Sequence, residues 1–516
     1  MQGLGSWARD MGWVSPQVIA RSGCLEDGIL AIHLPDALDR CLPSALRRDN
    51  NRAYGVTSAA ECRSGPCLRL LARIVSAPVD VFRGYKQDLV FISHNVARQA
   101  SRSSLPSLSV CPSPGVHNRQ NIFDYFLSQY LPEAPLNHSS SIKWFSHLPP
   151  RPSECPALDS STNALGVTML GRKTGDHNLI YNGLKLYGDS LATFRSWQVR
   201  HRTGRWHESL LVAMVLQLFE AVECTPHSAG NWLSHSKGIL VLLRAAGPTA
   251  WQKAPSHECF LCCRVSSTVA TILLEEPTFL ASDDWCQLPW ATFPKDDAHI
   301  LIDTLLRIPG LLFLSNNTAR KLREGNKAGA AEDEQQLHRV CQDIDMALCE
   351  WHDIARKSGY LGKLRDFTDA HHLPFSDIME FRDVMQAQMM LFYWTGRLLA
   401  HDAAQRVEQA RLAIGLEARK LQCDGRTFGD AADNICRSVA YCQKESNGML
   451  GMQLSTLPLR TAEHFYQSTG EAEKALWCRR CVLMKAKDSF LLVSGAPAPS
   501  RNDTRQHEVS QGRLVS

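Results

Sequence analysis

The chain has 516 residues, 44% of them hydrophobic and 21% charged, with a formal net charge of +4. This composition excludes a disordered or fibrous protein and, at about 150 residues per domain, allows two to four domains. Residues 1–110 carry 13 Lys or Arg against 9 Asp or Glu, a weak basic bias that permits a nucleic-acid contact without establishing one.

Residues 1–120 read as an irregular N-terminal region. Short apolar pieces are broken by Pro, Gly and Ser, and the stretch ends in the linker-like tract Ser101-Arg102-Ser103-Ser104-Leu105-Pro106-Ser107. Residues 1–20 lack the basic start and continuous apolar stretch of a signal peptide. From Asn121 the pattern becomes helical. Helices are expected over 121–131, 159–171, 177–200, 207–223, 230–245 and 257–276, with interior Gly183 and Gly188 weakening the third and Gly247-Pro248 and Pro277 halting the last two.

The run Leu210 to Val222 has no polar face, so other helices must surround it. It is shorter than the roughly 20 residues of a membrane span and is closed by Glu220 and Glu223, which points to a soluble intracellular chain with no membrane partner. After a polar break at 315–333, Leu337, Val340, Ile344, Leu348, Trp351 and Ala355 recur at helical spacing and place one apolar stripe on a helix that Gly359 ends. Further helices are expected over 376–402, 404–421, 430–444 and 460–483, followed by a polar, disordered tail at 486–516. Short connections leave little room for a sheet, and the fold class is all-α.

Eighteen cysteines are scattered through helical segments, several of them, such as Cys262, Cys263 and Cys349, among apolar neighbours, so reduced and mostly buried thiols are expected. Cys259-x-x-Cys262 beside Cys263, and Cys478-x-x-Cys481, each have the spacing of half a tetrahedral thiolate site. Both pairs fall inside predicted helices and far apart in the chain, so core packing is the simpler reading. Cys62 and Cys67, with Arg63, Arg69 and Arg73 nearby, mix thiols and guanidiniums but lack a second close pair for zinc.

Asp369, His371 and His372 suggest acid–base chemistry, yet no nucleophile motif accompanies them, nor any phosphate-binding glycine pattern. Asn137-His138-Ser139 fits a glycosylation acceptor without a secretory route to use it. Trp232, Trp285, Trp290 and Trp394 read as core aromatics, or as the lining of a small-molecule cavity. No catalytic, cofactor-binding or metal-ligating residue is assigned, and the chain is read as a non-enzyme.

An ordered series of short stretches then resembles a known family. It begins with Asn121-Ile122-Phe123-Asp124-Tyr125-Phe126, the turn Leu170-Gly171-Arg172 and Gly183-Leu184-Lys185-Leu186-Tyr187-Gly188. It continues through Trp232-Leu233-Ser234-His235-Ser236-Lys237-Gly238, Leu243 to Pro248, Pro277 to Leu280, Trp285 to Trp290 and Ile308 to Leu312. Tyr393-Trp394, Ile435 to Cys442 and Pro458-Leu459 complete it. Together, over 121–485, they resemble the fungal-specific transcription factor domain found C-terminal to zinc binuclear cluster regulators.

The resemblance implies an all-α regulatory domain in a nuclear regulator of RNA polymerase II transcription of metabolic or secondary-metabolite genes. Its partners would be the transcription machinery or another regulator, with DNA and a small-molecule effector as further ligands. Trp232, His235, Trp285 and Trp290 are expected to shape the interior. A DNA-independent helical interaction protein, acting through a full-length regulator, is the alternative.

Family members carry an N-terminal module in which six cysteines hold two zinc ions and stiffen a segment too small to fold around its own core. Here only a remnant of the tail of such a cluster is recognisable at 82–91, Phe82-Arg83-Gly84-Tyr85-Lys86-Gln87-Asp88-Leu89-Val90-Phe91, with Phe82 where the last cysteine would fall. The expectation is that the zinc module has been lost or that residues 1–80 are a gene-model artefact, so neither zinc nor direct DNA binding transfers to named residues.

Overall fold

The computed structural model describes residues 116–133, 140–148, 153–200, 205–223, 228–366, 374–417 and 425–488. In chain order the helices are α1 (Val116–Tyr130), α2 (Pro156–Thr174), α3 (His177–Arg200), α4 (Trp206–Glu223) and α5 (Ser228–Ala246). They continue with α6 (Ser256–Leu274), α7 (Asp283–Gln287), α8 (Asp297–Leu305), α9 (Ile308–Arg323) and α10 (Lys327–Lys357). The last are α11 (Val384–Ala413), α12 (Gly425–Cys442), α13 (Gly448–Leu454), α14 (Thr456–Thr469) and α15 (Ala472–Asp488). Among the described residues the fold is all-α apart from one two-stranded antiparallel sheet, β1 (Lys363–Asp366) with β2 (Asp377–Glu380), in which Lys363 faces Glu380 and Asp366 faces Asp377.

Helix α4 carries the argument for the first half of the fold. From Ser209 to Glu223 every residue is buried, as a helix without a polar face requires, and α2, α5 and α6 pack around it. The close partner of α3 is α2. Their crossing depends on Gly183, where an added Cβ would run into the Thr168 side chain. A glycine that weakens the helix locally therefore permits the tightest helix contact in this half. The second half is built on α11, which packs against α9, α10, α12 and α14.

The stripe on α10 is buried at Leu337, Ile344, Leu348, Trp351 and Ala355, with Val340 half-buried, and Gly359 ends the helix at a φ of 70°. Cys349, expected among apolar neighbours, is exposed because it sits one residue past Leu348 and is turned roughly 100° off the stripe. The expected polar break at 315–333 is instead the end of α9 and the start of α10, separated by Glu324, Gly325 and Asn326. Asn326 caps α10 through its Oδ1, which accepts from the Gly329 amide at 3.0 Å. The apolar stripe begins at buried Ala330, seven residues before Leu337, inside a stretch otherwise polar enough to look like a loop.

Two helices expected at 376–402 and 404–421 are one helix, α11, preceded by a strand. Asp383 and Gln386 form a reciprocal cap: the Gln386 amide donates to Asp383 Oδ1 at 2.8 Å and the Arg382 amide donates to Gln386 Oε1 at 2.6 Å. The single helix expected at 460–483 is two, split at Gly470, whose φ of 83° closes α14. The turn expected at Gly171 lies within α2, which runs on to Thr174. Helix α1 starts at Val116 and α15 ends at Asp488, inside the segments read as irregular region and tail. The readings of 1–115, of the 82–91 remnant, of Asn137-His138-Ser139 and of the chain beyond 488 lie outside the described residues.

Two helical stretches, Ser256–Leu274 and Asp297–Arg323, are long and apolar enough to cross a membrane, yet 67% and 61% of their apolar windows are buried within the fold. The first carries Arg264, fully buried and paired with Asp303 between α8 and α9's neighbour α6, which fits a protein core.

Candidate functional site

A cleft of about 1100 Å³ opens between α9, α11 and α14, at the upper end of the volume range of small-molecule sites. Its floor is a chain of charged and amide groups from four separate elements. Arg406 on α11 donates to Glu275 Oε1 at 2.9 Å and to Asn316 Oδ1 at 3.0 Å. It also lies 2.7 Å from Asp402 Oδ2, one turn back on the same helix. His464 Nε2 on α14 lies 3.0 Å from the other oxygen, Asp402 Oδ1, and Asn316 on α9 donates to Glu275 Oε2.

The local folding explains why these groups meet. Glu275 closes α6 in the left-handed region at a φ of 53°, which turns the chain beneath α9 and α11. Asp402 and Arg406 stand four residues apart on α11 and so share a face. Burial by itself raises the Asp402 carboxyl, but Arg406 and His464 outweigh it and hold the group below the usual carboxylate range. Arg406 in turn stays firmly charged, because two carboxylates oppose the cost of burying it. His401, stacked on Phe428 at 4.3 Å, is pushed towards the neutral form by burial.

A second polar cluster lies inside the first half of the fold. The Tyr187 hydroxyl donates to Glu220 Oε1 at 2.5 Å and lies 2.9 Å from His235 Nε2. Asn231 Nδ2 donates to the same carboxylate oxygen at 3.0 Å. Here burial governs both titratable groups: it raises the Glu220 carboxyl against its hydrogen bonds and pushes His235 down to about 4. The cluster joins α3, α4 and α5 as a polar plug in which Glu220 Oε1 takes both hydrogen bonds and the buried Oε2 has no hydrogen-bond partner among the described residues.

The residues singled out from sequence fall elsewhere. Trp232, His235, Trp285 and Trp394 are buried and Trp290 is half-buried against the core, with Lys295 and Arg264 over its ring. None of these tryptophans lines the cleft. Cys259 and Cys263 are buried on α6 and Cys262 is half-buried, and burial pushes the Cys262 thiol up to about 12, which leaves it a poor nucleophile. Cys478 lies 3.5 Å from Cys436 on α12. No group of three or more His, Cys, Asp or Glu is placed to hold a metal among the described residues. Cys62, Cys67, Asp369, His371 and His372 lie outside the described residues.

Sequence reasoning passed over Glu275, Asn316, Asp402, Arg406 and His464. The local signal was the Asp402/Arg406 spacing, but only tertiary packing brings Glu275 and Arg406 together, 131 residues apart.

No family model matches the chain, and no solved structure matches it. One similar protein is an uncharacterized protein of Emericella nidulans, 24% identical over 183 residues, which cover 33% of this chain and 39% of that protein. The match thus spans well under half the length of that relative.

Proposed function

We propose that this chain is a fungal transcription regulator of the fungal-specific transcription factor domain type. Its region 121–485 is the regulatory domain, and it acts in the nucleus on RNA polymerase II transcription of metabolic or secondary-metabolite genes. The observation that carries the reading is where the ordered stretches fall. They supply interior positions to successive helices: Phe126 to α1, Tyr187 to α3, Trp232 and His235 to α5, Leu312 to α9, Trp394 to α11, Ile435 to α12 and Leu459 to α14. A series that recurs in order at core positions specifies an architecture rather than a surface accident.

The cleft supports the regulatory part of the reading. A ligand between α9, α11 and α14 touches three helices that pack on one another, so its differential contacts bias how they sit and which surface meets the transcription machinery or another regulator. No catalytic role is assigned.

Deleting the gene should change transcript levels of a restricted gene set, read by RNA sequencing. Unchanged transcripts under conditions that express the protein would reject the reading. Binding of the purified chain to duplex DNA that weakens steeply with salt supports direct contact. Association with another regulator and no DNA binding supports the DNA-independent partner instead.

A further inference from the structure

We propose that the cleft between α9, α11 and α14 binds a neutral, hydroxyl-rich small molecule of the sugar or cyclitol class. The inference deepens the regulatory reading and rests on its assignment of the cleft as the effector site.

The charges at the floor of the cleft are paired with one another. Three arginines and three carboxylates line the cleft. Arg406 is held between Glu275 and Asp402, Arg320 pairs with Glu324 at 2.9 Å on the exposed rim, and Arg323, also on the rim, has no ion pair among the described residues. A strongly charged ligand that reaches the floor would meet a like charge there and would have to break the Arg406 pairs, whose partners are largely desolvated.

Carboxamides make up much of the wall above that floor. Gln405 and Gln409 stand one turn apart on α11 and line the same cleft as Asn317 of α9, and none of the three makes a side-chain hydrogen bond within the described residues. A third wall comes from α14, where Gln467 donates its amide to Glu463 at 3.3 Å. Each carboxamide offers a donor and an acceptor side by side, which matches a hydroxyl group, itself both donor and acceptor, better than it matches any ion.

Phe313 supplies the remaining element. Its ring lines the cleft with 47% of the residue exposed, an apolar face free to cover the C–H face of a saturated ring. A planar apolar platform with amides converging on it recognises a ring that is apolar on its faces and hydroxylated around its edge.

The test is isothermal titration of the purified full chain with D-glucose, maltose and myo-inositol, set against glucose 6-phosphate and citrate, each at low and high salt. At least one neutral probe should bind saturably, with Kd between about 1 μM and 1 mM and no dependence on salt. The double variant Gln405→Leu/Gln409→Leu should weaken that binding roughly tenfold or more, about one lost hydrogen-bonding residue's worth, with an unchanged unfolding midpoint. The proposal is overturned if no neutral probe binds, if only the charged probes bind with salt-sensitive affinity, or if the variant binds as tightly as the parent. Binding lost in the variant with transcripts unaltered would reject the regulatory reading and leave the ligand assignment standing. A transcript response with no neutral ligand bound would do the reverse.

Discussion

The plug formed by Tyr187, Glu220, Asn231 and His235 and the cleft floor formed by Glu275, Asp402, Arg406 and His464 use the same residue types with opposite results. Each sets a carboxylate beside a histidine, but only the cleft adds a guanidinium. Without a cation, burial raises Glu220 and lowers His235, so both groups favour their neutral forms. With Arg406 at hand, burial is outweighed and Asp402 is held ionised. A helical core therefore shifts its acidic residues in two directions, towards the neutral form by burial alone or towards the ionised form by pairing, and the paired cluster stands at a cavity wide enough for a ligand.

The largest test of that contrast removes the cation. Arg406→Met leaves Asp402 and Glu275 buried without their partner and should destabilise the protein by about 3–5 kcal/mol, the usual cost of breaking a buried pair from one side. Urea unfolding measures it, and adding Asp402→Asn and Glu275→Gln should recover much of the loss. In the plug, Tyr187→Phe removes one donor from the Glu220 carboxyl and should cost about 1–3 kcal/mol by the same measurement.

Titration separates the two regions further. His235 goes from 6.5 in its ordinary state to about 4 in the fold, so the unfolded chain takes up its proton first. Its contribution is full above pH 6.5 and is lost as pH falls from there towards 4, with a limiting slope of about 1.4 kcal/mol per pH unit. Glu220 runs the other way: its folded pKa is raised above 4.5, so its contribution is full below that value and fades as pH rises through the folded pKa. Asp402, lowered from 3.8, contributes fully above that value and loses its contribution only as pH falls below it. Replacing His235 with Asn should therefore flatten the stability profile between pH 4 and 6.5, whereas replacing His464 should leave that part of the His235 profile in place.

The smallest expected effect is at the cleft rim. Gln405→Leu/Gln409→Leu touches exposed residues and should change stability by no more than about 0.5 kcal/mol. A larger loss would mean that the rim amides are structural.

Much of the fold was legible because apolar spacing reports burial. The α10 stripe and the all-apolar α4 run needed no tertiary information. The errors have physical causes as well. His401 and Asp402 made the middle of α11 look like a break because their polarity faces a cleft, and polarity alone does not distinguish a loop from a cavity wall. Gly470 falls inside the helix expected over 460–483 and takes a left-handed conformation that ends one. The Asp383/Gln386 cap was readable in the sequence and was passed over for a continuous helix. The site itself was not legible, because Glu275, Asn316, Asp402 and His464 come from four elements that only packing brings together.

The central claim is that this helical domain regulates transcription, and a tethering assay tests it most directly. The full chain is fused to a heterologous DNA-binding domain, and transcription from a reporter carrying the cognate site is measured. The account predicts a several-fold change, up or down, that is lost when the core is broken by Leu348→Ala together with Trp351→Ala. A reporter that responds no differently to the intact fusion than to the DNA-binding domain alone would contradict it.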